Sequence, residues 1–144
     1  MLRSPFLICA FVATISSAGA QEMAPVLHNG SLAIFTRDDR HQVEIRYERP
    51  RPGLPVAKGT LLFSGTYDNK RGNYSGTAYI FKQGCDPAPY AVSGKDSGPG
   101  IVLVGIAPRR DPHSCAVIGD AASGKNSRLV FENSRLVFEF EPEN

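Results

Sequence analysis

The chain has 144 residues, 42% of them hydrophobic and 21% charged, with a formal net charge of +2. A balance this close to neutrality carries neither the basic footprint of a nucleic-acid binder nor an acidic interaction tail. With 14 glycines and 11 prolines, turns are frequent, but the composition stays outside the low-complexity range.

The N-terminus reads as a secretory signal. Arg3 supplies a basic start, residues 6–15 are mostly apolar, and Ala18-Gly19-Ala20 is an Ala-x-Ala cleavage pattern. The apolar stretch falls well short of the ~20 residues that span a bilayer. Cleavage near Ala20 leaves a mature chain, 21–144, that begins at Gln21, carries no transmembrane segment and is expected to be secreted or periplasmic. Removal of Arg3, the one charged residue of 1–20, makes the chain still more nearly neutral.

Cys9 lies inside the apolar stretch, without small residues ahead of it, so it reads as part of the signal and not as a lipid attachment point. The mature chain then keeps Cys85 and Cys115. An even cysteine count in an exported chain predicts a disulfide, and the lack of any Cys-x-x-Cys pair argues against zinc. Closing the loop between them is worth ~3.5 kcal/mol in the chain-entropy model, against ~5–15 kcal/mol for a whole domain. The length suits one domain able to bury roughly two thirds of its unfolded surface.

Along the mature chain, Gln21–Asn29 is expected to be a loose lead-in, because Pro25 discourages regular structure. Leu32–Phe35 reads as a strand and Arg37-Asp38-Asp39-Arg40 as a turn. Val43, Ile45 and Tyr47 then alternate with Glu44, Arg46 and Glu48, the pattern of a strand with one wet face, so the pair predicts a hairpin. Pro50, Pro52 and Pro55 make the next stretch a non-helical connector.

Thr60–Phe63 reads as a strand, Tyr67–Asn73 as a polar loop with a glycine available for positive φ, and Tyr74–Lys82 as a strand running to Gly84-Cys85. Asp86–Pro89 turns the chain into a short run, Tyr90–Val92. Ser93–Gly100 is expected to be a turn-rich loop. Ile101–Ala107 is apolar at nearly every position, which predicts a central strand buried on both faces. After Pro108, Arg109–His113 leads into Cys115–Ile118, and Gly119–Asn126 reads as a flexible loop.

The C-terminus holds a direct repeat, Ser127–Asn133 followed by Ser134–Phe140. The seven-residue offset is odd, so one continuous strand would turn matching residues to opposite faces; a break near Asn133-Ser134 is expected. Leu136, Phe138 and Phe140 would form an apolar stripe in need of cover. The repeat reads as a local duplication. No stretch sustains a helical apolar period. About seven to nine short strands separated by glycine- and proline-rich turns predict an all-β fold, a small antiparallel β-sandwich or barrel with one disulfide.

Candidate chemistry is sparse. Asp111-Pro112-His113-Ser114 holds triad residue types, but neighbours in one loop do not readily adopt nucleophile–base–orienter geometry, and no Gly-x-Ser-x-Gly elbow is present. The spacing of His28, His41 and His113 fits no metal motif, and neither Ser93-Gly-Lys95 nor Ser123-Gly-Lys125 completes a phosphate loop. No catalytic, cofactor or metal residues are assigned.

Arg37, Arg40, Arg46, Arg49 and Arg51 cluster near Tyr47, interleaved with Asp38, Asp39, Glu44 and Glu48, the composition of a solvated strand face. The candidate binding surface comprises Arg46, Arg49, Arg51, Tyr74, Tyr90, Lys95 and Lys125, with the loops Gly94–Gly100 and Gly119–Asn126 as its contact segments. The functional expectation is an exported, non-enzymatic β-domain that binds a protein or glycan, of the inhibitor or envelope-accessory type. The alternative is a small secreted hydrolase or carbohydrate-active protein using Asp111 and His113.

Overall fold

The hairpin written into Val43, Ile45 and Tyr47 is present. β2 (Ser31–Arg37) and β3 (Gln42–Arg49) pair antiparallel, and the three apolar side chains are buried. The computed structural model describes residues 19–134; the signal-like segment 1–18, with Cys9, and the second repeat copy after Ser134, with Leu136, Phe138 and Phe140, lie outside the described residues.

The remaining strands are β1 (Glu22–His28), β4 (Leu61–Asp68), β5 (Asn73–Ile80), β6 (Ala88–Ser97), β7 (Gly100–Gly105), β8 (Ala107–Arg110), β9 (Val117–Ala121) and β10 (Arg128–Asn133). Eight of them form a closed antiparallel barrel in which β1 to β7 follow one another and β10 closes the ring between β7 and β1. β8 and β9 pair only with each other, as a two-stranded arm. The fold is all-β, and the choice between sandwich and barrel falls to the barrel. No helix among the described residues is long and apolar enough to cross a membrane.

Four local expectations are corrected. Residues 22–28 are a barrel strand, not a loose lead-in, although Pro25 sits within it. The Pro25 carbonyl accepts from Ser134 N at 3.1 Å and so faces the β10 side. A strand residue's N and C=O point the same way, so the missing N–H also faces β10, whose ladder with β1 is confined to Val26 and Leu27. The proline therefore removes no donor from the long β1–β2 ladder.

Ser93–Ser97 is strand, not loop: β6 continues to Ser97 and turns into β7 across Gly98-Pro99. Gly94, which resembles a turn signal, marks a close approach instead, since a Cβ there would lie 2.7 Å from the carbonyl carbon of Val102. The apolar run 101–107 is buried on one face only. Ile101, Leu103 and Ala107 point inward, while Val104 and Ile106 are 49% and 61% exposed. Finally, Gly119–Ala121, expected in a loop, belongs to β9.

The barrel interior is filled by inward residues from all eight barrel strands, with Phe63, Phe131, Ile45 and Leu103 fully buried at its centre. Each such side chain contributes about 1.5–3 kcal/mol by leaving water. Gly65 and Gly76 face each other across β4 and β5. A Cβ on Gly65 would lie 2.7 Å from Phe63 Cζ and 2.8 Å from Gly76 Cα, so the wall is bare there to admit the phenyl ring.

The two barrel ends are built differently. At one end the connections are short: 38–41, 69–72 and 98–99. That end is stoppered by Tyr67 and Tyr74, whose rings lie 4.7 Å apart, with the Tyr74 hydroxyl donating to Asp96 Oδ1 at 2.9 Å and Arg37 stacked over Tyr67. Burial, reinforced by the Asp96 acceptor, holds the Tyr74 phenol protonated far above its ordinary range. At the other end lie the 50–60 connector, the 81–87 loop and the β8–β9 arm. These stand around an open mouth.

Candidate binding site at the open mouth of the barrel

One side of the mouth begins at a tight turn. Asn29 and Gly30 have φ of 48° and 80°, the two-residue hairpin geometry that an Asn-Gly pair adopts at least cost. The turn sets His28 opposite Ser31. Ser31, 1% exposed, accepts the backbone N–H of Arg51 at 2.9 Å, which ties the proline-rich connector to the rim. Leu54 and Val56 of that connector pack on the core. A register shift between Ile45 and Arg46 in the β3–β4 ladder leaves Leu62 between the paired residues Leu61 and Phe63, and both Leu62 and Phe63 are buried in consequence.

The opposite side is the arm, which is held in several places. Cys85 of the 81–87 loop and Cys115 at the arm's tip form the expected pair, with Cα atoms 5.4 Å apart. Lys82 Nζ donates to the carbonyls of Asp111 at 2.7 Å and Ser114 at 2.6 Å. Arg110 donates to the carbonyl of Cys115 at 2.7 Å and to that of Asp86. Both cations thus serve backbone acceptors that the turn would otherwise leave unpaired, while Arg110 Nε is buried without a partner among the described residues. At the arm's return, the Tyr90 hydroxyl donates to Asn126 O at 2.5 Å and the Ser127 hydroxyl to Ala121 O at 2.7 Å.

Between these walls lies a cavity of about 540 Å³, within the range that holds a small organic ligand. Its inner lining includes Tyr47, Leu62, Ile80, Tyr90 and Leu129, and its rim carries Arg51, Arg109 and Lys125. His28 stacks on Phe131 with ring centroids 4.7 Å apart. Its Nδ1 lies 2.9 Å from the carbonyl of Val130, which can only accept, so that nitrogen carries the proton. Nε2 then accepts from Asn29 Nδ2 at 3.2 Å.

Burial lowers the His28 pKa below its ordinary value, a trend the Val130 hydrogen bond opposes and the Arg51 charge reinforces. The Tyr47 phenol is pushed up to about 12 by burial, with Arg51 pulling it down, and Tyr90 is likewise raised to about 12 by burial and by Tyr47. Both phenols are therefore protonated donors at neutral pH. Tyr90 has its acceptor. Tyr47, only 4% exposed and facing the cavity, has no hydrogen-bond partner for its hydroxyl among the described residues.

The expected binding surface divides. Arg51, Tyr90 and Lys125 converge on the mouth from three separate segments. Arg49 is exposed at the end of β3, and Arg46 lies on the outer wall, paired with Glu44 at 2.9 Å and with the Gly59 carbonyl at 3.1 Å. Tyr74 is 3% exposed at the stoppered end, and Lys95 is exposed on β6 near it. His28, Tyr47 and Arg109 complete the mouth without having been singled out as ligands. Their signal was faint: His28 and Tyr47 occupy inward positions like any core residue, one strand end away from the long loops.

Asp111 and His113 form a turn. Asp111 Oδ1 accepts the backbone N–H of His113 at 2.7 Å, and the Ser114 hydroxyl accepts that of Ala116 at 3.2 Å. Among the described residues, no group of three or more His, Cys, Asp or Glu side chains could hold a metal ion. Comparison with family models, with curated proteins and with solved structures gives no match for this chain.

Proposed function

We propose that the protein is an exported, non-enzymatic binding domain whose ligand enters the open mouth of the barrel. The observation that carries this reading is the cavity of about 540 Å³, with apolar inner walls and a rim of side chains that make few contacts of their own. Export is supported by the signal-like residues 1–20 and by the Cys85–Cys115 pair, which suits an oxidising compartment. Binding is favoured over hydrolysis because the Asp111 and Ser114 side chains are committed to turn hydrogen bonds.

The test is a thermal-shift screen of oxidised 21–144 against chemically diverse small molecules, repeated on Ile80→Trp, which fills the mouth. Ligands that raise the Tm of the parent and not of the filled variant support the reading. Hits that stabilise both equally place binding elsewhere and count against it.

A second reading, a protein or glycan partner, is favoured by one observation: Val104, Ile106, Val117 and Ile118 are each about half exposed or more on β7 and the arm. Capture of a stoichiometric partner from envelope extracts by 21–144, lost in Ile106→Asp, would favour it.

A further inference from the structure

We infer that the ligand of the mouth is a small organic acid, its carboxylate received by the Tyr47 hydroxyl and the Arg51 guanidinium and its apolar body lying over Leu62, Ile80 and Leu129. The inference deepens the binding-domain reading and rests on it.

The chemistry follows from the balance of donors and acceptors. The cavity is lined by five cations, Arg51, Lys82, Arg109, Arg110 and Lys125, against one carboxylate, Asp111. The carboxylate already accepts from His113 N, and Lys82 and Arg110 are engaged with carbonyls. What remains for a ligand is donors. The Tyr47 hydroxyl has no acceptor among the described residues and opens on the cavity, where a ligand oxygen would take the place of water.

Arg51 has its backbone anchored on Ser31 while its guanidinium makes one long contact, 3.5 Å to Asn29 O, so the fork is positioned but largely unspent. Its charge reaches both His28 and Tyr47. A neutral His28 with both ring nitrogens occupied offers the ligand no competing acceptor. A group composed only of acceptors complements this set, and a carboxylate meets an arginine fork in bidentate geometry. The inner walls add the second requirement. Leu62, Ile80 and Leu129, with the rings of Tyr47 and Tyr90, offer apolar surface that a bare inorganic anion would leave wet.

The experiment is calorimetric titration of oxidised 21–144 with decanoate and 2-naphthoate, each beside its neutral counterpart, decan-1-ol and 2-naphthamide, and with acetate as charge without body. At least one acid should bind tenfold or more tightly than its neutral counterpart, and acetate should bind far more weakly than that acid. Tyr47→Phe keeps the ring against Phe81, and Arg51→Gln keeps the backbone bond to Ser31. Each should reduce the ratio of acid to neutral affinity several-fold.

Equal binding of acid and neutral counterpart overturns the inference while sparing the binding-domain reading. An acid preference that survives both substitutions overturns the assignment of Tyr47 and Arg51. Binding by none of the probes overturns the organic-acid inference, and the broader reading is then judged separately by the screen against the filled mouth.

Discussion

The Ser31 hydroxyl and the Arg51 backbone N–H, twenty positions apart, are joined at 2.9 Å in a site where Ser31 is 1% exposed. The bond ties a connector rich in proline to the first hairpin and sets the direction in which Arg51 leaves the backbone. Ser31→Ala removes the acceptor and strands the N–H. The expected loss is about 1–2 kcal/mol of unfolding free energy, read from urea denaturation, with weaker ligand binding at the mouth. An unchanged midpoint would show that water replaces the hydroxyl without cost.

The Cys85–Cys115 pair crosses from the 81–87 loop to the arm, not between barrel strands. Non-reducing mass mapping of 21–144 should recover this pair, and two free thiols would refute it. The Cys85→Ser, Cys115→Ser double variant should lose about 3 kcal/mol yet keep its far-ultraviolet circular dichroism, because the eight barrel strands do not depend on the bridge for their ladders.

Gly65 is closed to any larger residue. A Cβ would be caught between Phe63 and Gly76, and its other close neighbour, the Ser75 carbonyl, is backbone that cannot swing away. Gly65→Ala should destabilise by about 1–3 kcal/mol through overpacking. Gly53→Ala meets nothing within 4 Å, though its φ of +82° still favours glycine, so its cost is strain without collision. Denaturation of the two variants side by side separates the effects. A larger loss at Gly53 would overturn the overpacking account.

His28 couples stability to pH. Its pKa is lowered by burial in the folded state, so below the ordinary histidine value of about 6.5 the unfolded chain takes up the proton more readily. The stability tied to the neutral ring is present above that value and is lost as pH falls from there toward the folded-state pKa. Unfolding free energy should therefore decline as pH falls below about 6.5, and His28→Gln should remove that part of the slope. A slope unchanged in His28→Gln would assign the decline to other groups.

Much of the barrel was legible because burial on one face imposes a period of two, which Val43, Ile45 and Tyr47 obey cleanly. The disulfide was legible because residues 21–144 hold two cysteines and so a single possible pairing. Other features depend on neighbours that the local sequence does not name. Pro25 looks like a strand breaker until its carbonyl is seen to face β10 at the end of a ladder. Gly94 looks like a turn until Val102 is found against it. Val104 and Ile106 look buried because an apolar run states no direction.

The site was less legible than the fold for the same reason. Arg51, Tyr90 and Lys125 stand far apart in sequence and meet only because the barrel gathers three long connections at one end. Tyr47 has the pattern of a core residue. Only its place at the mouth, with a hydroxyl facing open space, makes it a candidate ligand contact.

β1 starts and β10 finishes at the stoppered end, where Ser134 N meets Pro25 O at 3.1 Å. A tag, fusion partner or surface attached at Glu22 or beyond Ser134 would therefore leave from the side opposite the mouth. Immobilised by either route, the molecule would stand like a cup on its base, with the opening turned to solvent. Bridging Glu22 to Ser134 with a short linker would also permit new termini at the 69–72 turn, a permuted chain with the mouth and its bridge untouched.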